Sequence, residues 1–432
     1  MNKYAYAQIK MWGSVIGYLH LGNSGCCEFQ YDRDFLNSGI EISPLKMPLS
    51  ERTYAFPTLS EDTFYGLPGV FADSLPDKFG TTVISRYLEK QGRSADDLSV
   101  IEKLCYTGKR GMGALEYEPA HDLLLNTSID INALTKLASD ILNNKKEFYL
   151  PNSEQMIGHL FQSSSSVGGA RAKALIAWNE KTGDIRSGQI DAGEGYTYWL
   201  LKFDGIDNNK DRDLQPDAAE YTKIEYAYYL MALDCGINMS ECRLYREGKN
   251  SHFITKRFDR INDRYEKLHM QTLGAIAHMD FNTPRTNSYE EAMAVMRKLK
   301  LTEAEVCEFF RRAVFNDLAY NFDDHVKNIS FLMDKSGVWS LSPAYDITFS
   351  YKPNSLWVNA HQMTINSKVE GITKKDLQEL AEAGGIKQSR ANEIIERVES
   401  SIGEWNKFAE QAELSKENTE RVGRILTAKK SN

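Results

Sequence analysis

The sequence predicts an α+β protein, and three observations predict it. Short runs rich in Tyr, Ile, Val and Phe, broken by Gly, Asn and Ser, open the chain and return between residues 171 and 260. Apolar residues at helical spacing dominate the last third. No internal repeat recurs at any fixed period. At roughly 150 residues per domain, the 432 residues fit two or three units. We place a mixed α/β part at 1–150, a β-containing part at 151–260 and a mainly helical part at 261–432.

Residues 3–30 read as an antiparallel opening sheet with a tight turn through Gly22, Asn23, Ser24 and Gly25. In GLPGVFADSLPDKFGTTVISRYLEKQG, Asp77 or a neighbour starts a helix that turns Val83, Ile84 and Leu88 inward. Three glycines between Gly108 and Gly113 then mark either a close backbone approach or a tight helix-to-strand connection. The polar run 143–147 ahead of Pro151 is the first boundary.

Beyond it, SSSSVGGARAK leads into β structure. In YTYWLLKFDG, Tyr196, Tyr198, Leu200 and Lys202 share one strand face, and Thr197, Trp199, Leu201 and Phe203 the other. A helix from Asp217 turns Ile224, Ala227, Tyr228 and Met231 inward and ends at Gly236. SHFITKRFDR, 251–260, returns to strand. Thr302 with Glu305 forms a capping box, and Val306, Phe309, Phe310, Ala313, Val314 and Leu318 continue the helix stripe toward Asn321. A hairpin turns at Asp334–Gly337, and helices from about 373 bury Ile394, Ile395, Val398, Ile402, Trp405 and Phe408.

Composition excludes several classes. Charged residues at 26% and hydrophobic types at 42% are those of an ordinary folded protein. With 52 Lys plus Arg against 60 Asp plus Glu, the net charge of −8 opposes coating nucleic acid by charge alone. No apolar run reaches the roughly 18 residues of a spanning helix. The opening MNKYAYAQIKMWGSV has no signal-peptide core, so a soluble, cytoplasmic protein is expected. The six cysteines form no CxxC or Cys/His zinc spacing and read as reduced buried thiols.

The densest polar cluster is NFDDHVKN, 321–328, followed by Asp346. Phosphoryl transfer from ATP uses an aspartate that orients the attacking hydroxyl, with an asparagine and a second aspartate holding magnesium. Asp323 and Asn328 have the D-x-x-x-x-N spacing, and Asp346 follows as the second carboxylate. A solvated Asp-rich turn is the bland alternative. Lys202 stands where a strand lysine neutralises nucleotide phosphates, and Glu225 is its candidate partner. Against that stand a lysine snorkelling from an edge strand and a surface glutamate. SSSSVGGARAK matches no Walker motif, but Gly168 and Gly169 with the neighbouring hydroxyls can wrap phosphate through backbone N–H groups.

SSVGGARAKALI, YWLLKFD, HFITKRFDR, MQTLGAIAHMDF, FDDHVKNISFLMD and LSPAYDITFSY, in this order, resemble the HipA family of bacterial toxin kinases. VIGYLHL, GLPGVFADSLPD and GKRGMGAL resemble that family's N-terminal domain, so the likeness spans essentially the whole chain. It implies a bilobal kinase-like unit, with the nucleotide lobe at 151–260 and a helical catalytic lobe at 261–432. It also implies a serine/threonine protein kinase using ATP and Mg2+. By position, Asp323 is the catalytic aspartate, Lys202 the phosphate-binding lysine, and Asn328 and Asp346 the magnesium ligands. His325 lies near the nucleotide, and Lys256, Arg257 and Phe258 form the adenine hinge. Ser166 matches the autophosphorylated serine, within a run of four from Ser163. Implied partners are a HipB-like helix-turn-helix antitoxin, through which DNA is met only indirectly, and a protein substrate such as an aminoacyl-tRNA synthetase. A small-molecule or lipid-headgroup kinase and a non-catalytic regulatory subunit are the competing readings.

Overall fold

The structure is a computed structural model that describes residues 5–22, 25–90, 92–94, 98–120, 128–143, 171–206, 220–261 and 265–429. Ser163 to Ser166, Gly168, Gly169 and Asp217 lie outside the described residues. The chain divides into two compact units. The first comprises Met1–Asp217, Tyr245–His278 and Leu332–Val338; the second comprises Ala218–Leu244, Met279–Phe331 and Trp339–Asn432. The architecture is α+β.

In the first unit, strands β1 (Tyr6–Met11), β2 (Ser14–Leu21), β3 (Cys27–Tyr31) and β4 (Leu115–Glu118) form a sheet in the order β3-β2-β1-β4. Alternation along β1 sends Ala7, Ile9 and Met11 into the core. The β1–β2 turn passes through Trp12 and Gly13, both at positive φ. The sequence reading had placed a turn only at 22–25, because Trp12 carries no turn signature.

Helix α1 (Lys78–Lys90) starts where expected: Asp77 Oδ1 accepts the Gly80 N–H at 2.6 Å. Helix α2 (Val100–Thr107) carries a Ser99/Glu102 capping box, and α3 (Ile131–Leu142) is capped by Asp130. Gly108 ends α2 at φ +55°, so it serves the tight connection. Gly113 serves the close approach: a Cβ there would meet the Met270 backbone nitrogen at 2.9 Å. Both readings of the glycine run hold, at different residues.

Strands β5 (Lys173–Trp178), β6 (Ile185–Ser187), β7 (Thr197–Lys202), β8 (Cys242–Glu247) and β9 (Asn250–Lys256) form a sheet in the order β6-β5-β7-β9-β8. Antiparallel pairing flanks β7 by β5 and β9. One face packs on the helices that precede it in sequence. Phe79, Val83, Leu88, Leu134, Leu137 and Ile141 share a core with Ala174, Ile176, Trp199, Leu201 and Ile254. Each fully buried side chain of this kind contributes about 1.5–3 kcal/mol. The other face carries Ala177, Tyr196 and Tyr198 with Ala192.

The second unit is mainly helical. It contains α4 (Tyr221–Asp234), α5 (Tyr289–Lys298), α6 (Glu303–Leu318), α7 (Lys374–Ala383), α8 (Gln388–Gly403), α9 (Trp405–Gln411) and α10 (Lys416–Lys429). Glu220, at positive φ, precedes α4, and its carboxylate accepts the Ser415 N–H at 3.0 Å. The Schellman pair Gly236 N–H to Leu233 O and Ile237 N–H to Ala232 O closes α4 as predicted. The Thr302/Glu305 capping box is present, and the second Glu305 oxygen accepts the Leu341 N–H at 2.8 Å. Strands β10 (Ser330–Met333) and β11 (Trp339–Leu341) join through the Asp334 turn, whose residues Leu332–Val338 are counted with the first unit and in which Asp334 Oδ1 accepts the Ser336 and Val338 N–H groups. Among the described residues no helix is long and apolar enough to cross a membrane, and all six cysteines are buried thiols outside any disulfide.

Candidate functional site

Lys202 ends β7, a central strand, which removes the edge-strand alternative. Its Cα partners are Lys173 on β5 and Phe253 on β9, so all three side chains share a face. The two lysines are both buried, and Lys173 is paired with Asp77 at 3.0 Å. That pair removes most of the like-charge cost of two adjacent ammonium groups. Lys202 Nζ lies 5.8 Å from the Phe253 ring centre. Glu225 is buried on α4, in the second unit, so it is not a surface residue.

The segment expected as hinge is narrower than a continuous strand. Strand β9 stops at Lys256, and the Arg257 N–H bonds to the Tyr198 carbonyl at 2.8 Å. The Arg257 side chain is buried. Its Nε and Nη2 donate to Asp259 at 2.9 and 2.7 Å, and its Nη1 to the Gly188 carbonyl at 2.9 Å. Arg260 Nη1 donates to the same carboxylate at 2.7 Å, and so does the Gly113 N–H. Burial would raise the Asp259 pKa, yet Arg257 and Arg260 hold it far below the usual carboxylate range. The guanidinium of Arg257 is therefore committed to the protein. Lys256 and Phe258 remain half-buried beside it.

In the second unit, α6 delivers the polar loop. The Phe322 N–H bonds to the Ser350 carbonyl and the Ser350 N–H to the Tyr320 carbonyl, fixing the loop's entry. Asn328 Nδ2 donates to the Asp323 carbonyl at 2.7 Å, and the Asn328 N–H to the His325 carbonyl at 2.8 Å. The Lys327 N–H donates to His325 Nδ1 at 3.3 Å, which leaves the proton on Nε2, 3.7 Å from Asp323 Oδ1. Burial sorts the loop by role: Phe322, Asp324, His325 and Val326 are buried, whereas Asp323 and Asn328 are partly exposed, the Asp323 side chain by 39%.

Asp346 follows β11. The Tyr345 hydroxyl donates to the Lys327 carbonyl at 2.7 Å and accepts from Ser330 at 2.5 Å, so the residue before Asp346 is tied to the loop that carries Asn328. Asp346 itself has φ +53°, a conformation aspartate tolerates better than most residues and one that turns up at functional sites. The structure thus brings Asp323, His325, Asn328 and Asp346 together within one unit. It places Lys202, Lys256, Arg257 and Phe258 in the other. Asn328 and Asp346 offer the partly exposed oxygen donors that a hard divalent cation prefers.

Sequence reasoning missed the support beneath this loop. His361 is fully buried, with Nδ1 2.6 Å from Asp324 Oδ2 and Nε2 3.2 Å from Asp317 Oδ1. The Tyr289 hydroxyl donates to Asp324 Oδ2 at 2.7 Å, and the Gln362 N–H to Asp324 Oδ1 at 2.7 Å. Burial would lower the His361 pKa, but Asp324 and Asp317 raise it to about 9. A lone histidine 37 residues downstream of Asp324 carries no spacing signal.

Comparison with known proteins agrees with this architecture. The family model described as HipA-like C-terminal domain matches residues 165–405, and that described as HipA N-terminal domain matches residues 7–118. A solved structure from Shewanella oneidensis MR-1, of a toxin–antitoxin HipA with HipB and operator DNA, has a TM-score of 0.66 at 17% identity. That match covers 98% of this chain and 95% of the other. A Helicobacter pylori proinflammatory kinase, CtkA, has a TM-score of 0.36 at 14% identity over 56% of this chain and 90% of its own. A curated Haemophilus influenzae protein, provisionally described as a kinase, is 29% identical over 161 residues. That alignment takes in 33% of this chain and 46% of the relative, so the chain spans about half the length of the curated relative it matches. With the two models matched in order and the C-terminal one covering more than half of the residues, the chain belongs to the HipA family.

Proposed function

We propose that the chain is an ATP- and Mg2+-dependent serine/threonine protein kinase acting as the toxin of a toxin–antitoxin pair. The observation that carries this reading is the sorting of the 321–328 loop, which leaves Asp323 and Asn328 partly exposed and buries Phe322, Asp324, His325 and Val326. In this reading Asp323 accepts the proton of the substrate hydroxyl as it attacks the γ-phosphoryl group. Asn328 and Asp346 hold magnesium, which when bound neutralises charge developing on the transferred phosphoryl. Lys202 meets the nucleotide phosphates, Gly168 and Gly169 wrap them through backbone N–H groups, and Lys256, Arg257 and Phe258 meet adenine through the backbone. His325 lies beside the nucleotide and orients the Asp323 carboxylate. The lobes at 151–260 and 261–432 then carry nucleotide and catalysis respectively.

Autophosphorylation falls on a serine of 163–166, with Ser166 the first choice. A phosphate there adds about two negative charges beside an anionic site, which disfavours nucleotide binding. The Shewanella structure was solved with HipB and operator DNA. By likeness we assign this chain a HipB-like antitoxin, with DNA met through that partner, in keeping with its net charge of −8. The substrate is a component of translation such as an aminoacyl-tRNA synthetase.

The test is intact-mass spectrometry of dephosphorylated protein after incubation with ATP and Mg2+, comparing wild type, Asp323→Ala and Ser166→Ala. Added phosphate on wild type that is absent from Asp323→Ala supports the reading, and its loss in Ser166→Ala places the switch. ATP consumption with no phosphate on any protein would turn the reading to a small-molecule kinase.

A further inference from the structure

The loop bearing Asp323 rests on a buried charge network that the phosphotransfer scheme does not use. Its centre is His361, fully buried between carboxylates from two elements. Asp317 lies on α6, and Asp324 lies in the loop itself, next to Asp323. Both ring nitrogens face carboxylate oxygens, at 2.6 and 3.2 Å, so both carry protons and the ring is an imidazolium. The network continues to α5: Tyr289 donates to Asp324, Asn316 donates to Tyr289 at 3.0 Å, and Asn321 donates to Asn316 at 2.8 Å. The ring of Phe322, the residue before Asp323, packs 4.6 Å from the imidazole.

We propose that His361 is the positioning residue of the phosphotransfer loop, its cation clamping Asp324 to Asp317 and thereby fixing the backbone from which Asp323 and Asn328 project. The proposal rests on the reading of Asp323 given above, and it adds the group that holds Asp323 in place. The physical case is one of connectivity. Asp324 is joined to the rest of the unit by three hydrogen bonds, from His361, Tyr289 and the Gln362 N–H. Two of them reach on to α6, the helix that delivers the loop: Tyr289 through the neutral amide of Asn316, and His361, the one charged link, through its second ring nitrogen to Asp317. Asp323 in turn takes the Asn328 amide on its carbonyl, so a shift at Asp324 moves both residues. A displacement of about 1 Å in such a group costs on the order of 100-fold in rate.

The test uses full-length His361→Gln and the charge-balanced pair His361→Gln/Asp324→Asn. Two readouts are taken. The first is hydrogen exchange in the peptide spanning 320–330, which does not depend on any activity. The second is phosphate transfer, split into kcat and the dissociation constant for ATP. We expect exchange in this peptide to quicken at least tenfold while the Asp334 hairpin is unchanged. We also expect kcat to fall about 100-fold with ATP affinity within threefold of wild type. In the charge-balanced pair thermal stability returns toward wild type and kcat does not, because the link to Asp317 is still absent. Unchanged exchange in 320–330, or a kcat within threefold of wild type in a folded variant, overturns the proposal. A parallel fall of kcat, ATP affinity and melting temperature also overturns it, by showing a general structural role. If wild type transfers no phosphate while exchange quickens as stated, the clamp stands and the kinase reading falls.

Discussion

Replacing Asp259 by asparagine removes one charge from a site where three charged side chains are closed off from water. The carboxylate is fully buried and accepts from Arg257 Nε at 2.9 Å, Arg257 Nη2 at 2.7 Å, Arg260 Nη1 at 2.7 Å and the Gly113 N–H at 2.7 Å. The asparagine keeps the shape and part of the accepting capacity, but it leaves two buried guanidinium groups without their anion. Breaking a buried ion pair from one side costs about 3–5 kcal/mol. At about 2–4 °C per kcal/mol for a unit of this size, the melting temperature falls by about 6–20 °C. The assay is thermal unfolding of wild type and Asp259→Asn at pH 7, in 0.1 M and 1 M salt. Because the pair is shielded from solvent, the difference survives at high salt. Adding Arg260→Met to Asp259→Asn restores part of the loss by removing one unpaired charge. A shift below about 2 °C, or one that vanishes in 1 M salt, refutes the reasoning.

Other outcomes follow from the same structure. His361 is protonated in the folded chain up to about pH 9, so its contribution is fully present below its unfolded pKa of about 6.5 and is lost as pH rises through 9. The stability gap between wild type and His361→Gln, measured by urea unfolding, therefore shrinks by up to about 3 kcal/mol between pH 6.5 and 9.5. Lys173→Met strands the Asp77 carboxylate, whose side chain is only 4% exposed, and lowers stability by about 3 kcal/mol, whereas Lys173→Met/Asp77→Asn recovers most of it. Thr302→Ala removes the capping oxygen of α6 and costs about 1 kcal/mol in denaturant midpoint experiments. Lys202→Met, on the evidence of its strand position, weakens ATP binding at least tenfold in calorimetry while the melting temperature stays within about 3 °C.

Much of the fold was legible because its determinants are local. The Thr302/Glu305 box, the Gly236 helix end and the Asp334 turn each involve residues within four or five positions, and each is present. The loop 321–328 was legible as the densest polar cluster of the chain, with Asp323 and Asn328 at D-x-x-x-x-N spacing. What stayed hidden depends on residues far apart in sequence. The buried place of Arg257 is set by Gly188 and Asp259, and the central place of β7 in its sheet by β5 and β9. His361 meets partners 37 and 44 residues away, and nothing in its own neighbourhood announces them.

The shared core of the first unit bears on how such chains are inherited. The N-terminal family match ends at residue 118 and the C-terminal one begins at 165. Between them lies α3, whose Leu134, Leu137 and Ile141 lie in the core that covers Trp199, Leu201 and Ile254. A recombination event that exchanged one matched segment for a relative's would therefore split a single packed interior, whichever side of α3 it fell on. The two segments can be recognised separately, but they must evolve as one object, each apolar replacement on α1 or α3 answered by one beneath it in the sheet.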